Sequence, residues 1–155
     1  YIGNEEEKMQ TETRKLLGGY RDGTFVDAEV VVSASCNRVP VRDGHTEVVS
    51  VRLEQEGVTP DDVMSAFRSF RGKPQELVLP SAPVTPIVVR CEPNRPQPVL
   101  DRDVERGMAS VVGRIRPCPI LGIKYVLLGH NTVRGAAGAS ILNAELFKVE
   151  GLLPV

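Results

Sequence analysis

The sequence predicts an α+β fold: a mixed, largely antiparallel sheet with helices on one face. Three observations lead there. Helix-like and strand-like stretches come in blocks, not in βαβ alternation. No Gly-x-Gly-x-x-Gly motif is present, which argues against a doubly wound sheet within this chain. And residues 74–98 carry Pro74, Pro80, Pro83, Pro86, Pro93, Pro96 and Pro98, a density that excludes a helix and favours a long ordered connection.

Taken in order, residues 4–19 read as a helix. Asn4 can cap it, Glu5 to Glu7 suit the positive end of the dipole, Arg14 and Lys15 suit the other end, and Gly18 can stop it. Met9, Thr13, Leu16 and Leu17 form its packing stripe. Val26 to Val41 is rich in β-branched residues and His45 to Gln55 alternates. Asp43-Gly44 between them is a type I′ hairpin signal. That register pairs Arg42 with His45 and sets Arg38, His45, Val49, Val51 and Leu53 on one face, Pro40 permitting. Thr59 caps a helix over 60–70 with Pro at its first position. Val63, Ala66, Phe67 and Phe70 form the apolar side of that helix. The proline-rich stretch holds one short strand, 87–91. Strands return at 108–115 and 124–130, and the last element, 132–149, is helical. Its small residues, Gly135 to Ser140, permit close backbone approach.

The 155 residues suit a single domain with a sizeable core. Hydrophobic residues at 41% and charged residues at 25% are ordinary globular proportions. Nineteen Lys and Arg against twenty Asp and Glu leave a net charge of −1, which argues against nucleic acid or an anionic membrane as main partner. No apolar run approaches membrane-spanning length. Cys36, Cys91 and Cys118 are odd in number and widely spaced. They match no zinc pattern and fit a reduced, cytoplasmic setting.

Four features could carry chemistry. His45 follows a Gly that leaves room around it and has Arg38 nearby, a combination suited to proton transfer beside an anion; pattern alone favours a solvated turn histidine. Glu5 and Lys8 stand one helical turn apart and could grip a zwitterion or phosphate, although a surface ion pair is the commoner outcome of that spacing. Asn131 ends a strand before a small-residue helix, where it could face a ligand or simply cap the helix. The cysteines read as buried or incidental thiols, since none begins a helix.

Several segments together resemble one family, the aspartate-semialdehyde dehydrogenases of archaeal and fungal type. They are Gly3-Asn4-Glu5-Glu6-Glu7-Lys8-Met9 with Glu12-Thr13-Arg14-Lys15-Leu16-Leu17; Ser35-Cys36-Asn37-Arg38-Val39-Pro40-Val41-Arg42-Asp43-Gly44-His45; Phe67-Arg68-Ser69-Phe70-Arg71-Gly72; and His130-Asn131-Thr132-Val133-Arg134-Gly135-Ala136-Ala137-Gly138. They run in family order along almost the whole chain. The resemblance covers only the C-terminal catalytic and dimerisation domain of such an enzyme, akin to that domain in the glyceraldehyde-phosphate dehydrogenase-like fold. It implies that residues 1–155 are that domain, with the dinucleotide-binding domain and the nucleophilic cysteine lying outside this chain. The opening Tyr1 fits a truncated piece.

The resemblance also implies an activity: NADPH-dependent reductive dephosphorylation of aspartyl β-phosphate to aspartate semialdehyde, on the route to threonine, methionine and isoleucine. In that chemistry a thiolate displaces phosphate, and the thioester is reduced by hydride. By motif, His45 is the general acid/base, Arg38 holds the substrate carboxylate, Glu5 takes the ammonium, Lys8 binds phosphate and Asn131 faces the nicotinamide of NADP. Partners are aspartate semialdehyde, phosphate and further copies of the chain, as a homodimer or homotetramer. The chain alone is expected to be inactive. A non-catalytic dimerisation module and an acetylglutamyl-phosphate reductase-like domain are the alternatives; the Glu5/Lys8 helix speaks against the latter, whose acetylated substrate has no ammonium to hold.

Overall fold

The computed structural model describes residues 2–152. The chain divides into two compact units, residues 1–40 and 41–155.

The first unit opens with α1 (Glu5–Leu16), acidic in its first turn and basic in its last. Asn4 occupies the cap position in left-handed conformation, φ 65°, and its side chain makes no capping bond. The helix buries none of its residues, so the Met9–Leu17 stripe is not a core here; Leu16 and Leu17 are exposed. Gly18 is required by closeness, not by conformation: an added Cβ would collide with the Val26 carbonyl oxygen. Strands β1 (Gly19–Arg21) and β2 (Thr24–Val26) form an antiparallel ribbon in which Tyr20 faces Phe25. Their rings meet edge to face at 5.1 Å. Beyond Val26 the unit has no regular structure. It is tied back by the Ala28 N–H to the Arg14 carbonyl at 2.9 Å and by the Cys36 N–H to the Glu6 carboxylate at 2.8 Å.

The expected 26–41 strand and its Asp43-Gly44 hairpin are therefore corrected. Strand β3 (His45–Val51) pairs with β6 (Gly122–Gly129), a strand far along the chain, and has no partner in residues 26–41. The placement of Arg38 on the His45 face fell with that hairpin. Cys36, within the expected 26–41 strand, lies in the irregular stretch instead. The physical reason is twofold. Only Gly44 of the dipeptide has positive φ, whereas a type I′ turn needs both residues there. Pro40 also lacks the N–H that a ladder would use.

In the second unit the sheet order is β3-β6-β5-β4, with β4 Ile87–Arg90 and β5 Ser110–Cys118. Both β3–β6 and β6–β5 are antiparallel, and β5–β4 is parallel, so the sheet is mixed and largely antiparallel. A bulge interrupts the β5–β6 ladder between Gly113 and Arg116, where Arg114 has a φ of 55°. Val111, Val112, Ile123, Val126 and Leu128 supply the buried sheet residues.

Helix α2 (Pro60–Ser69) starts where Thr59 and Asp62 form a capping box. The Thr59 N–H reaches Asp62 at 2.9 Å and the Asp62 N–H reaches the Thr59 hydroxyl at 3.2 Å. Phe67 of α2 packs edge-on to Tyr125 of β6, 5.5 Å between centroids, which sets α2 on one face of the sheet. The proline-rich connection is mostly irregular, yet it opens with a single helical turn, α3 (Lys73–Glu76). Pro74 is tolerated there because the first turn has no N–H partners to lose. A second short turn, α4 (Pro98–Asp101), follows β4.

Next comes a tight turn, Val104–Gly107, in which Glu105, Arg106 and Gly107 all have positive φ. The C-terminal element begins as a π turn, Val133–Ala137, and continues as α5 (Gly138–Val149). Gly138 leaves room for Met108, which packs with Leu79 and Leu142 in a small core. Among the described residues no helix is long and apolar enough to cross a membrane.

Candidate active site

The second unit builds one corner from residues distant in sequence. Antiparallel pairing puts His45, the first residue of β3, opposite Gly129, the last of β6. Just beyond the ladder, the Asn131 Oδ1 accepts the Gly44 N–H at 3.0 Å. The chain entering β3 and the chain leaving β6 are thus pinned together at His45. Gly44 is needed twice here. Its φ is +119°, and an added Cβ would lie 3.1 Å from the Leu128 Cδ1 and 3.4 Å from the Pro98 Cβ. His45 itself is exposed, which suits a group that must meet a substrate.

Of the two roles its position suggested, capping is ruled out for Asn131. It does not cap the following turn, where Thr132 is the preceding residue in helical conformation. Its carbonyl oxygen is committed to Gly44, so what it can offer a ligand is the amide N–H₂, a donor.

In the first unit, Glu5 and Lys8 are paired with each other, Lys8 Nζ to Glu5 Oε1 at 3.3 Å, both substantially exposed. A pair of that kind contributes little to stability, and either group can exchange its partner for a ligand. Arg38 is exposed in the irregular segment of the same unit. His45 and Asn131 are brought together; Glu5 and Lys8 are brought together.

The sequence reading assigned no role to three residues that structure this region. His130 is buried, 9% exposed. Its Nδ1 lies 3.3 Å from the Thr132 N–H and 3.4 Å from the Val133 N–H, both donating to it. Asp103 places Oδ1 3.8 Å from the His130 Nε2. Asp101 is fully buried and accepts from Arg90 Nε at 3.0 Å, Arg95 Nε at 2.6 Å, the Arg95 terminal nitrogen, and the Gln97 N–H at 2.7 Å. Burial alone would push its carboxyl up, but Arg95, the Gln97 N–H and Arg90 together hold it below the usual carboxylate range. This knot fixes the loop that delivers Pro98 against Gly44. The signal for it was present as three charged residues, Arg90, Arg95 and Asp101, in and just after the proline-rich stretch, but nothing local says that they converge.

The chain was compared with known proteins. Residues 1–134 match the family model described as semialdehyde dehydrogenase, dimerisation domain. An aspartate-semialdehyde dehydrogenase from Methanothermobacter thermautotrophicus is 58% identical over 148 residues, 94% of this chain and 42% of that protein. One from Schizosaccharomyces pombe is 49% identical over 158 residues, 99% of this chain and 44% of that protein. Among solved structures, aspartate semialdehyde dehydrogenase with NADP from Candida albicans superimposes with a TM-score of 0.91 at 44% identity, covering 99% of this chain and 44% of that one. The chain thus spans about two-fifths of the length of the relatives it matches. With the family model covering most of the chain, relatives more than 40% identical along nearly all of it and a solved relative superimposing on it, the chain belongs to the semialdehyde dehydrogenase dimerisation-domain family.

Proposed function

We propose that this chain is the substrate-handling and subunit-contact part of an NADP-dependent aspartate-semialdehyde dehydrogenase. Such an enzyme reduces aspartyl β-phosphate to aspartate semialdehyde in the cytoplasm, on the route to threonine, methionine and isoleucine. The observation that carries this reading is the 58% identity, over 94% of the chain, to a protein of that name. In it, residues 1–155 form the catalytic and dimerisation domain. The nucleophilic cysteine and the dinucleotide-binding fold come from another part of the whole protein, so this chain alone is inactive.

His45 is the general acid/base. It takes the thiol proton as the nucleophile attacks and returns a proton at the tetrahedral stage. Its place at the exposed start of β3, held through Gly44, supports that role. Arg38 receives the substrate carboxylate, where its planar fork allows two parallel bonds. Glu5 takes the substrate ammonium and Lys8 the phosphate, each giving up the other's charge to do so. NADP, when bound, supplies or accepts the hydride. Asn131 fits its nicotinamide carboxamide in donor sense, because the oxygen of Asn131 is already used and its N–H₂ is what remains.

The chain associates with further copies as a homodimer or homotetramer. Val48 is 74% exposed, with exposed Thr46 and Ser50 beside it, on the sheet face opposite Tyr125 and α2. The matching family model, described as a dimerisation domain, is what supports association.

The test is steady-state kinetics on the full-length protein with aspartate semialdehyde and phosphate both varied. His45→Asn is expected to lower kcat by about 10²- to 10⁴-fold. Arg38→Lys should instead raise KM for aspartate semialdehyde, since the charge stays and the fork goes. Wild-type kcat in His45→Asn would overturn the assignment.

A further inference from the structure

His130 is the most enclosed titratable ring of the second unit, and the chemistry proposed above does not use it. Its surroundings are specific. Nδ1 faces the N–H groups of Thr132 and Val133 and the Thr132 hydroxyl, the last at 3.2 Å. Facing two backbone donors, Nδ1 is the accepting nitrogen, which leaves Nε2, on the side of Asp103, as the one that carries a proton. The His130 carbonyl meanwhile accepts the Gly135 N–H at 2.9 Å, closing the π turn. Ring and carbonyl together hold the backbone of residues 131–135.

A second feature presses on the same ring. Glu105 and Arg106 are non-glycine residues held at φ 52° and 59°, a conformation that costs energy at each. Gly107, the third left-handed residue, lies so near that an added Cβ would be 3.1 Å from the His130 Cδ2 and 3.2 Å from the Val133 Cβ. Glu105 is tied down by accepting the Val84 N–H at 3.0 Å. A strained turn is thus kept in place to wall one side of the imidazole.

We infer that His130 is a positioning residue for the His45 corner, acting through Asn131. The ring Nδ1 fixes the backbone after Asn131. That backbone aims the Asn131 Oδ1 at the Gly44 N–H, and this bond sets how the chain enters β3 at His45. The catalytic consequence rests on the role proposed for His45; the positioning itself does not.

Two substitutions separate this from generic packing, because each copies one half of the ring. His130→Asn puts an oxygen near the Nδ1 position, where Asn side chains commonly accept N–H groups two and three residues on. His130→Gln keeps polarity and bulk but moves its oxygen toward the Nε2 position. In the full chain, amide hydrogen exchange at Gly44 is followed by NMR against the β5–β6 amides as internal reference. His130→Gln should speed Gly44 exchange by about tenfold or more relative to that reference, and His130→Asn by less than about threefold. In the full-length protein, kcat should fall about ten- to a hundredfold in His130→Gln, with KM for aspartate semialdehyde changing less, and recover in His130→Asn. Equal Gly44 exchange in the two variants, or faster exchange in Asn than in Gln, would overturn the inference. Absence of dehydrogenase activity in the wild type would instead overturn the proposed function, and the exchange comparison would still decide the role of His130.

Discussion

The tripeptide Arg-Asp-Gly occurs twice, at 21–23 and at 42–44, and the two copies fold differently. In the first, Asp22 at φ 50° and Gly23 at φ 79° close a two-residue hairpin between β1 and β2, with Arg21 paired to Thr24. In the second, Gly44 alone is at positive φ, no strand precedes it, and the strand that follows pairs with β6. The Asp-Gly signal permits a tight turn without commanding one. The first copy is flanked by Tyr20 and Phe25, whose rings meet across the ribbon, while Lys15 sits 4.9 Å over the Phe25 ring. The second is flanked by Val39-Pro40-Val41, and the N–H of its Gly is taken by Asn131. One turn is held by its neighbours in sequence, the other by tertiary packing.

The largest effect should come from removing what packs the second copy. Asp101→Asn takes the charge from a fully buried carboxylate with two arginines on it. Breaking such a pair costs about 3–5 kcal/mol, read as a lower denaturation midpoint. The same carboxylate makes this region acid-sensitive. Its folded-state pKa is lowered, so its stabilisation is complete above the unfolded carboxylate value, about 3.9, and is lost as pH falls through the folded value. Acid unfolding should therefore differ between wild type and Asp101→Asn, and two superimposable pH profiles would contradict the assignment.

Alanine at the two glycines should then separate the copies. Gly44→Ala suffers both the left-handed backbone and contact with Leu128 and Pro98, about 2–4 kcal/mol in all. Gly23→Ala meets nothing within 4 Å and should cost only the backbone term, about 1 kcal/mol. Equal losses in paired thermal melts would mean that packing around Gly44 is looser than described.

The smallest effect is a gain. Asn tolerates the left-handed first position of a type I′ turn better than Asp does, so Asp22→Asn should stabilise the ribbon by a few tenths of a kcal/mol. Asp43→Asn, outside any such turn, should give none of that gain.

Elements whose cause is local were legible in the chain. The α2 start follows from Thr59, Pro60 and Asp62, all within one turn, and the structure places the capping box there. Strands β4, β5 and β6 follow from runs of Val, Ile, Leu and Tyr, which suit a pleated half-buried surface. The proline-rich connection followed from the missing N–H groups. His45 and Asn131 were legible as candidates by residue type and motif, and so was the family.

What β3 pairs with was settled by tertiary structure, because a strand's own sequence carries period and face but not the identity of a partner nearly eighty residues away. The same reason explains Asn131, whose hydrogen-bond partner is 87 residues distant, and Asp101, whose two arginines lie on a strand and a loop that only folding brings to it. It explains His130 as well. A histidine in a sequence is a ring with two nitrogens, and which one accepts, donates or stays idle is decided by the donors and the carboxylate that packing sets around it.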